Sequence, residues 1–237
     1  MSRKRQYKGF SLAEVLLAVG TLSIGMIFIS GTFLTGIYFS TLATERTIAA
    51  TVADEAFAKI KLYSIDPANP SLAMNQLIRF ETLSAIPDDE FAYPSTKIVG
   101  AKQYYWSALC RSAHPGATNR LVQVTVFVSR KVGSATTYPG ETTRPVPVEV
   151  DVSSTGNQNQ ITITTSDEQS FINGGCTIAD NQTGMLYRVV ERDADTPNLV
   201  TLDKPWEGGT GSVWVIPPPI GGGKDPCIAV YQKLIRF

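Results

Sequence analysis

The sequence predicts an α+β fold in which a long amino-terminal helix crosses a membrane, continues as a stalk and packs on an antiparallel β-sheet, with an additional β-rich unit towards the carboxyl end. Three observations predict it. The run from Val15 to Thr44 carries no charge, apolar residues then recur every four positions up to Ile60, and the apolar pattern beyond Pro67 changes to every second residue. A spacing of about four is typical of a helix, and a spacing of two is typical of a strand.

The first element is an apolar helix that is long enough to cross a bilayer. Val15–Ala43 is a run of 29 residues, which as a helix at about 1.5 Å per residue exceeds a hydrocarbon core of about 30 Å. A secretory signal peptide has an apolar stretch of only about 7–15 residues and then a small-residue cleavage site, which is absent here. Four basic residues precede the run, so the positive-inside rule predicts a cytoplasmic amino terminus and residues from Glu45 onward on the far side.

The charge balance of the remaining chain excludes a basic nucleic-acid-binding protein. The 237 residues include 21 Lys and Arg and 21 Asp and Glu, with 43% hydrophobic residues. Without the four basic residues of the first eight positions, 17 basic and 21 acidic residues remain, a net charge of −4. No stretch of that chain could neutralise a phosphate backbone, so we expect no nucleic-acid partner. The ordinary apolar content also excludes intrinsic disorder.

The junction before the apolar run has a specific pattern. It reads KGFSLAEVLL, with Gly9 and Phe10 after the basic leader and Glu14 at the start of the apolar run. This junction resembles the processing site of type IV prepilins and type II secretion pseudopilins. The resemblance implies that a prepilin peptidase cleaves after Gly9 and that Phe10 is N-methylated. It also implies that Glu14 meets the amine of a neighbouring subunit during filament assembly.

Glu14 calls for a partner on physical grounds as well. A carboxylate within an apolar membrane segment costs a few kcal/mol or more unless it is paired. Cleavage after Gly9 would remove four positive charges and leave one amine, and Glu14 is the only charged side chain in this region that could pair with it. A plain single-pass anchor is the alternative interpretation of this terminus.

The stalk follows the membrane segment. Ile48, Val52, Ala56 and Ile60 form one apolar stripe with neighbours at 49, 53 and 57, and Asp66-Pro67 ends the helix, which we expect from Phe10 to about Tyr63. The segment from Glu45 is similar to the corresponding segment of the minor subunits called PilV in pilus systems and GspI in secretion systems.

Four glycines in the membrane half either weaken the helix or provide small residues for helix packing. They are Gly20, Gly25, Gly31 and Gly36.

The β region begins with a predicted hairpin. Tyr104, Trp106, Ala108 and Cys110 share one face of the first strand, Leu121–Val128 alternates in the same way, and a His114-Pro115-Gly116 turn lies between them. We expect this hairpin to cover the stalk.

A second hairpin is predicted from 146–152 and 160–165. Short strands at 186–190, 199–202 and 213–216 suggest a small barrel or an appended sheet, and a last strand at 228–237 is a candidate to rejoin the main sheet.

These assignments divide the chain into four parts. We expect a leader peptide at 1–9, the transmembrane and stalk helix at 10–66, a pilin-like β-sheet head at 67–165, and the additional β-rich unit with the carboxyl-terminal strand at 166–237. The resemblance implies an inner-membrane protein with a periplasmic head, assembled with other pilin or pseudopilin subunits into a pilus or pseudopilus. The rival function is a membrane-anchored binding module whose β-rich head recognises a surface or a secreted substrate.

No catalytic or metal-binding motif emerges from the sequence. The one histidine, His114, lies in a Pro-Gly turn, so we expect no enzyme, cofactor or metal site. Asp88-Asp89-Glu90 is typical of a solvated helix start or turn, with a calcium site as the alternative. Asp193–Asn198 is typical of a hairpin loop rather than a calcium loop.

Three cysteines in an exported domain allow at most one intramolecular disulfide. Cys110 lies on an apolar strand face and is expected to be a buried thiol. Cys176 and Cys227 lie in glycine-rich contexts that suit a bridge, and the alternative that all three stay reduced is equally open.

Overall fold

A computed structural model describes residues 11–66, 69–95, 103–113, 121–133, 136–140 and 143–237. Gly9, Phe10 and the His114 turn lie outside these residues, so the predicted cleavage and methylation sites stay predictions. The chain divides into two compact units, one up to Glu45 and one from Arg46 to Phe237.

The amino-terminal helix is continuous. Helix α1 covers Leu12–Tyr63, 52 residues, close to the predicted bounds. It ends because Ser64 adopts a left-handed conformation (φ 59°) and its N–H bonds to the Ile60 carbonyl at 3.0 Å. By length and composition, α1 is suited to cross a membrane.

Besides the second half of α1, the second unit contains one short α-helix and eleven strands among the described residues. Helix α2 is Phe80–Leu83. The strands are β1 (Ile78–Arg79), β2 (Ala92–Tyr93), β3 (Tyr104–Ser112), β4 (Leu121–Arg130), β5 (Val148–Ser154), β6 (Gln160–Ile163), β7 (Thr177–Asp180), β8 (Leu186–Arg192), β9 (Leu199–Leu202), β10 (Gly211–Val215) and β11 (Cys227–Arg236).

An antiparallel sheet packs on the second half of α1. Its order is β1-β3-β4-β11, with β2 also paired to β3. The predicted hairpin is confirmed, with Trp106 opposite Val128, and β11 returns to pair with β4 along its length. The predicted faces are confirmed too, because one buried cluster unites the helix stripe with the inward side chains of the sheet. Its members include Ala49, Val52, Ala53, Ala56, Phe57, Ile60, Trp106, Ala108, Cys110, Val122, Val124, Val126 and Val128.

The strands between β4 and β11 form a closed six-stranded barrel, in the order β10-β5-β6-β9-β8-β7. Its interior is filled by buried side chains that alternate along the strands, as in other small barrels. They include Val150, Val152, Ile161, Ile163, Ile178, Tyr187, Val189, Val200, Leu202, Val213 and Val215.

The barrel corrects the predicted division of the chain. The hairpin of β5 and β6, which the sequence analysis assigned to the head at 67–165, belongs to the barrel. The boundary predicted between residues 165 and 166 therefore falls inside the barrel. The physical reason is that a strand of period two looks the same in an open sheet and in a barrel, since only its neighbours differ.

The barrel covers the face of the sheet that is turned away from α1. A third buried cluster, which we call the interface cluster, joins side chains of both parts. The sheet is therefore buried on both faces, between the helix and the barrel. The members of the interface cluster are Leu77, Leu109, Phe127, Ala179, Trp214 and Ile216.

The turn between β7 and β8 fixes this packing with hydrogen bonds. Arg111 of β3 donates to the Thr183 carbonyl, and Gln123 of β4 and Gln232 of β11 both donate to that of Gly184. Asn181, which is 5% exposed, accepts from the Leu77 N–H at 3.0 Å and from the Trp214 indole at 3.1 Å. Three adjacent sheet strands thus hold one barrel turn.

Candidate functional site

The amino-terminal end of α1 carries a reciprocal helix cap. The Ser11 hydroxyl accepts from the Ala13 N–H at 3.2 Å, and the Glu14 carboxylate accepts from the Ser11 N–H at 3.0 Å. A capping Ser with Glu three residues later satisfies N–H groups that have no partner within the helix. This cap was not predicted, although the Ser-x-x-Glu pattern before an apolar run is its known signature.

The cap gives Glu14 a partner within its own chain. The only partner expected for this carboxylate from the sequence was the amine of a neighbouring subunit. An ionised carboxylate offers about four lone-pair positions, and the bond to Ser11 occupies one of them. Glu14 can therefore cap its own helix and still accept from an amine brought by another chain.

The apolar segment after Glu14 exposes its side chains all around the helix. Each residue from Ser11 to Thr41 is exposed, with Leu12 at 78%, Phe28 at 71% and Phe33 at 69%. Soluble monomers rarely expose apolar patches beyond a few hundred Å². This surface requires a lipid or protein environment.

Six hydroxyl groups of the segment are satisfied within the helix. Each donates to a carbonyl three or four residues earlier at 2.8–3.1 Å, so it needs no water. A helix with this arrangement is compatible with an apolar medium. The donors are Thr21, Ser23, Thr32, Thr35, Thr41 and Thr44.

The four glycines of the segment are not required by contacts within the described chain. A Cβ added at Gly20, Gly25, Gly31 or Gly36 meets nothing within 4 Å. Both interpretations of these glycines therefore stay open, and the packing interpretation needs a helix from another chain.

In the second unit, a buried lysine holds the turn at Asp88–Phe91 against α1. The Lys59 side chain is 11% exposed and pairs with Glu55 at 3.0 Å and with Glu90 at 2.8 Å. The Glu90 carbonyl accepts from the Lys59 ammonium at 2.7 Å and from the Trp106 indole at 2.9 Å. A 3₁₀-helix covers Asp88–Phe91, which agrees with the predicted helix start or turn, and the Glu90 side chain, 31% exposed, pairs with Lys59.

The second acidic segment caps its own loop. The Asp193 carboxylate accepts from the N–H groups of Asp195 and Thr196 at 2.8 and 2.9 Å. This loop connects the paired strands β8 and β9, which confirms the predicted hairpin loop. Within the described ranges, no three His, Cys, Asp or Glu residues are grouped to hold a metal ion.

The three cysteines are free thiols in the structure. Cys110 is fully buried between α1 and the sheet, as predicted, and burial raises the pKa of its thiol well above the usual range. Burial also raises the pKa of Cys176 to about 12 and raises that of Cys227. The disulfide between Cys176 and Cys227 stays a prediction.

Comparison of the chain with known protein families, curated proteins and solved structures gives no match.

Proposed function

We propose that this chain is a minor subunit of an inner-membrane-anchored filament, a type IV pilus or a type II secretion pseudopilus. The carrying observation is the start of α1, where the Glu14 carboxylate caps an apolar helix five residues after the Gly9 of a prepilin-like junction. The exposed apolar surface from Leu12 to Tyr38 supports the proposal, because such a surface must be covered by lipid or by other helices.

The function proposed for each residue of the junction follows from its chemistry. Gly9 leaves the backbone open to close approach by a peptidase, since glycine has no Cβ. Cleavage frees the Phe10 amine, which carries the methyl group. Glu14 then provides the negative charge that such an amine requires in a medium of low dielectric constant. The protein acts as a structural subunit and not as an enzyme.

The packing of the second unit supports a structural function. The apolar stripe of α1 is already buried against the sheet through Val52, Ala56 and Ile60. The sheet therefore fixes a folded domain to the second half of the same helix whose first half exposes the apolar segment. One continuous helix thus provides the apolar segment that anchors the chain and carries the folded domain.

A second candidate function is a membrane-anchored binding module. The observation that favours it is the barrel, a closed six-stranded unit with its own buried core that is inserted between β4 and β11. The two candidates are compatible if the chain is a filament subunit that also binds a secreted or surface ligand. They differ in whether the chain is recovered with other subunits or alone.

The test is the mature amino terminus. We expect intact-mass and amino-terminal sequencing of the membrane-extracted protein, expressed with a prepilin peptidase, to give a chain that begins at N-methylated Phe10. Gly9→Leu should block cleavage and leave a membrane protein of full length. Gly20→Leu, in the same apolar helix but away from the junction, is the matched control and should be processed normally. An uncut chain in the presence of active peptidase contradicts the proposal.

A further inference from the structure

Two cysteines lie where the barrel meets the sheet. Cys176 immediately precedes β7 and packs in the barrel core, with 4% of its surface exposed. Cys227 is the first residue of β11 and packs against the interface cluster, which includes Ala179 of β7. Strands β7 and β11 contact each other. The fold thus places the two cysteines, 51 positions apart in sequence, on or directly beside two strands that contact each other.

Asp225 connects the surroundings of the two thiols. Its carboxylate accepts from the Cys227 N–H at 2.9 Å, and its charge also acts on the Cys176 thiol and raises the pKa there. Burial is the main cause that raises the pKa of Cys227, and Asp225 and Cys176 raise it further. Cys110 belongs to a different cluster, between α1 and the sheet.

We propose that Cys176 and Cys227 form a disulfide bond that joins the barrel covalently to the sheet in the exported protein. The oxidising compartment that this requires rests on the proposed function, which places the second unit outside the cytoplasm. The thiols are separate in the structure, so bond formation needs local backbone adjustment. A glycine at positive φ precedes each cysteine: Gly175 (φ 91°) comes directly before Cys176, and Gly223 (φ 147°) lies four residues before Cys227. Because glycine has no Cβ, the backbone at these positions can change conformation readily.

The chemical step is a thiol–disulfide exchange with a protein disulfide of a thiol oxidase. One thiolate attacks the oxidase disulfide, the other then attacks the mixed disulfide, and the oxidase leaves as a dithiol. The two cysteines lose two protons and two electrons, and the oxidase disulfide gains them. Since burial raises the pKa of both thiols, the reactive thiolates are scarce once the barrel has packed. The bridge therefore forms during folding, before the barrel closes on the sheet.

The bridge would add a third covalent connection between the barrel and the rest of the second unit. The other two are the chain segments that lead from β4 to β5 and from β10 to β11. Restricting the unfolded chain in this way stabilises the folded state, and a loop of about 50 residues gives one of the larger effects. Reduction should therefore lower the melting temperature of the second unit by roughly 10 °C.

The experiment uses the full chain, exported in cells with an active thiol oxidase, extracted in detergent and blocked at once with N-ethylmaleimide. We expect non-reducing peptide mass spectrometry to show Cys176 linked to Cys227, with Cys110 alkylated only after denaturation. Cys110→Ser is the control and should keep the bridge. Dithiothreitol should lower the melting temperature of the wild type but not that of Cys227→Ser or Cys176→Ala.

Three alkylated thiols, or a bridge that includes Cys110, would overturn the inference. If Cys176→Ala fails to fold, Cys227→Ser alone still decides, because its side chain is less deeply packed and its free partner thiol remains measurable. Processing at Gly9 is read from the amino terminus of the same sample. A processed chain without the bridge therefore refutes this inference alone, and an unprocessed chain refutes the proposed function.

Discussion

Gln123 and Gln232 stand on adjacent strands, β4 and β11, and donate to the same carbonyl oxygen, that of Gly184, at 3.0 and 2.8 Å. Gly184 has a φ of +69°, and a Cβ there would lie 2.9 Å from the Gln123 amide. The positive φ favours glycine here, and a Cβ would in addition displace the end of the Gln123 side chain. The two strands are 61 and 48 residues away from the turn in sequence, so this packing is a tertiary feature of the second unit.

The first prediction concerns the two glutamines. Gln123→Leu and Gln232→Leu should each lower the free energy of unfolding by about 1 kcal/mol, since each removes hydrogen bonds. The double variant should cost about 1 kcal/mol more than the sum, because the buried Gly184 carbonyl then loses both donors. Urea denaturation of the four proteins measures this coupling. Gln158→Leu, at an exposed barrel loop, is the control, and additive losses would contradict the shared-acceptor argument.

The second prediction concerns the buried lysine of α1. Lys59→Met should destabilise the second unit by about 1.5–3 kcal/mol, because Glu55 and Glu90, whose side chains are 27% and 31% exposed, then keep their charges without the ammonium between them. Lys61→Met, two residues further on and exposed, should change the free energy of unfolding by less than about 0.5 kcal/mol. Adding Glu90→Gln to Lys59→Met should recover part of the loss. Equal effects of the two lysine variants would show that the network is not stabilising.

The third prediction concerns a close approach at Gly208, in the connection between β9 and β10. A Cβ at Gly208 would lie 2.5 Å from the Trp206 ring and 2.8 Å from the Asp180 carboxyl carbon. Gly208→Ala should therefore lower the melting temperature by several degrees, since the Asp180 carboxylate also holds the N–H groups of Gln182 and Thr183. Gly156→Ala, where the added methyl meets nothing within 4 Å, is the matched control. Identical melting curves would contradict the clash.

The sequence predicted those elements whose packing partners lie nearby in the sequence or whose apolar residues have an unambiguous spacing. The stripe of Val52, Ala56 and Ile60 and the hairpin around Trp106 follow from side-chain spacing alone, and both are confirmed. The last strand was correctly expected as a candidate to rejoin the sheet. Strand β7 was missed, because four residues between a glycine pair and a polar turn carry too little pattern.

The parts that sequence reasoning could not reach depend on contacts between distant residues. Nothing in the neighbourhood of Glu90 indicates that Lys59, 31 positions earlier, would pair with it. The closure of the barrel likewise depends on β10 pairing with β5, which is a relation between residues about 60 positions apart. The helix cap was different, because Ser11 and Glu14 are local and their pattern was available in the sequence.

The last prediction separates the two functions that Glu14 can serve. Glu14→Gln keeps an amide oxygen that can accept from the Ser11 N–H and removes the charge, whereas Glu14→Ala removes both. Loss of the cap alone lowers the stability of the helix by about 1 kcal/mol. An amine that is buried in the membrane without a counter-charge lowers the stability of the assembled filament by several kcal/mol. If Glu14 pairs with the Phe10 amine of a neighbour, both variants should insert and be cleaved normally and both should fail to enter the filament. Ser11→Ala, which weakens the cap but keeps the carboxylate, should still assemble.

The measurement is co-purification with partner subunits from detergent-solubilised filaments. Assembly of Glu14→Gln at the wild-type level, with loss only in Glu14→Ala, would show that the residue acts as a helix cap and that no intersubunit charge pair is formed.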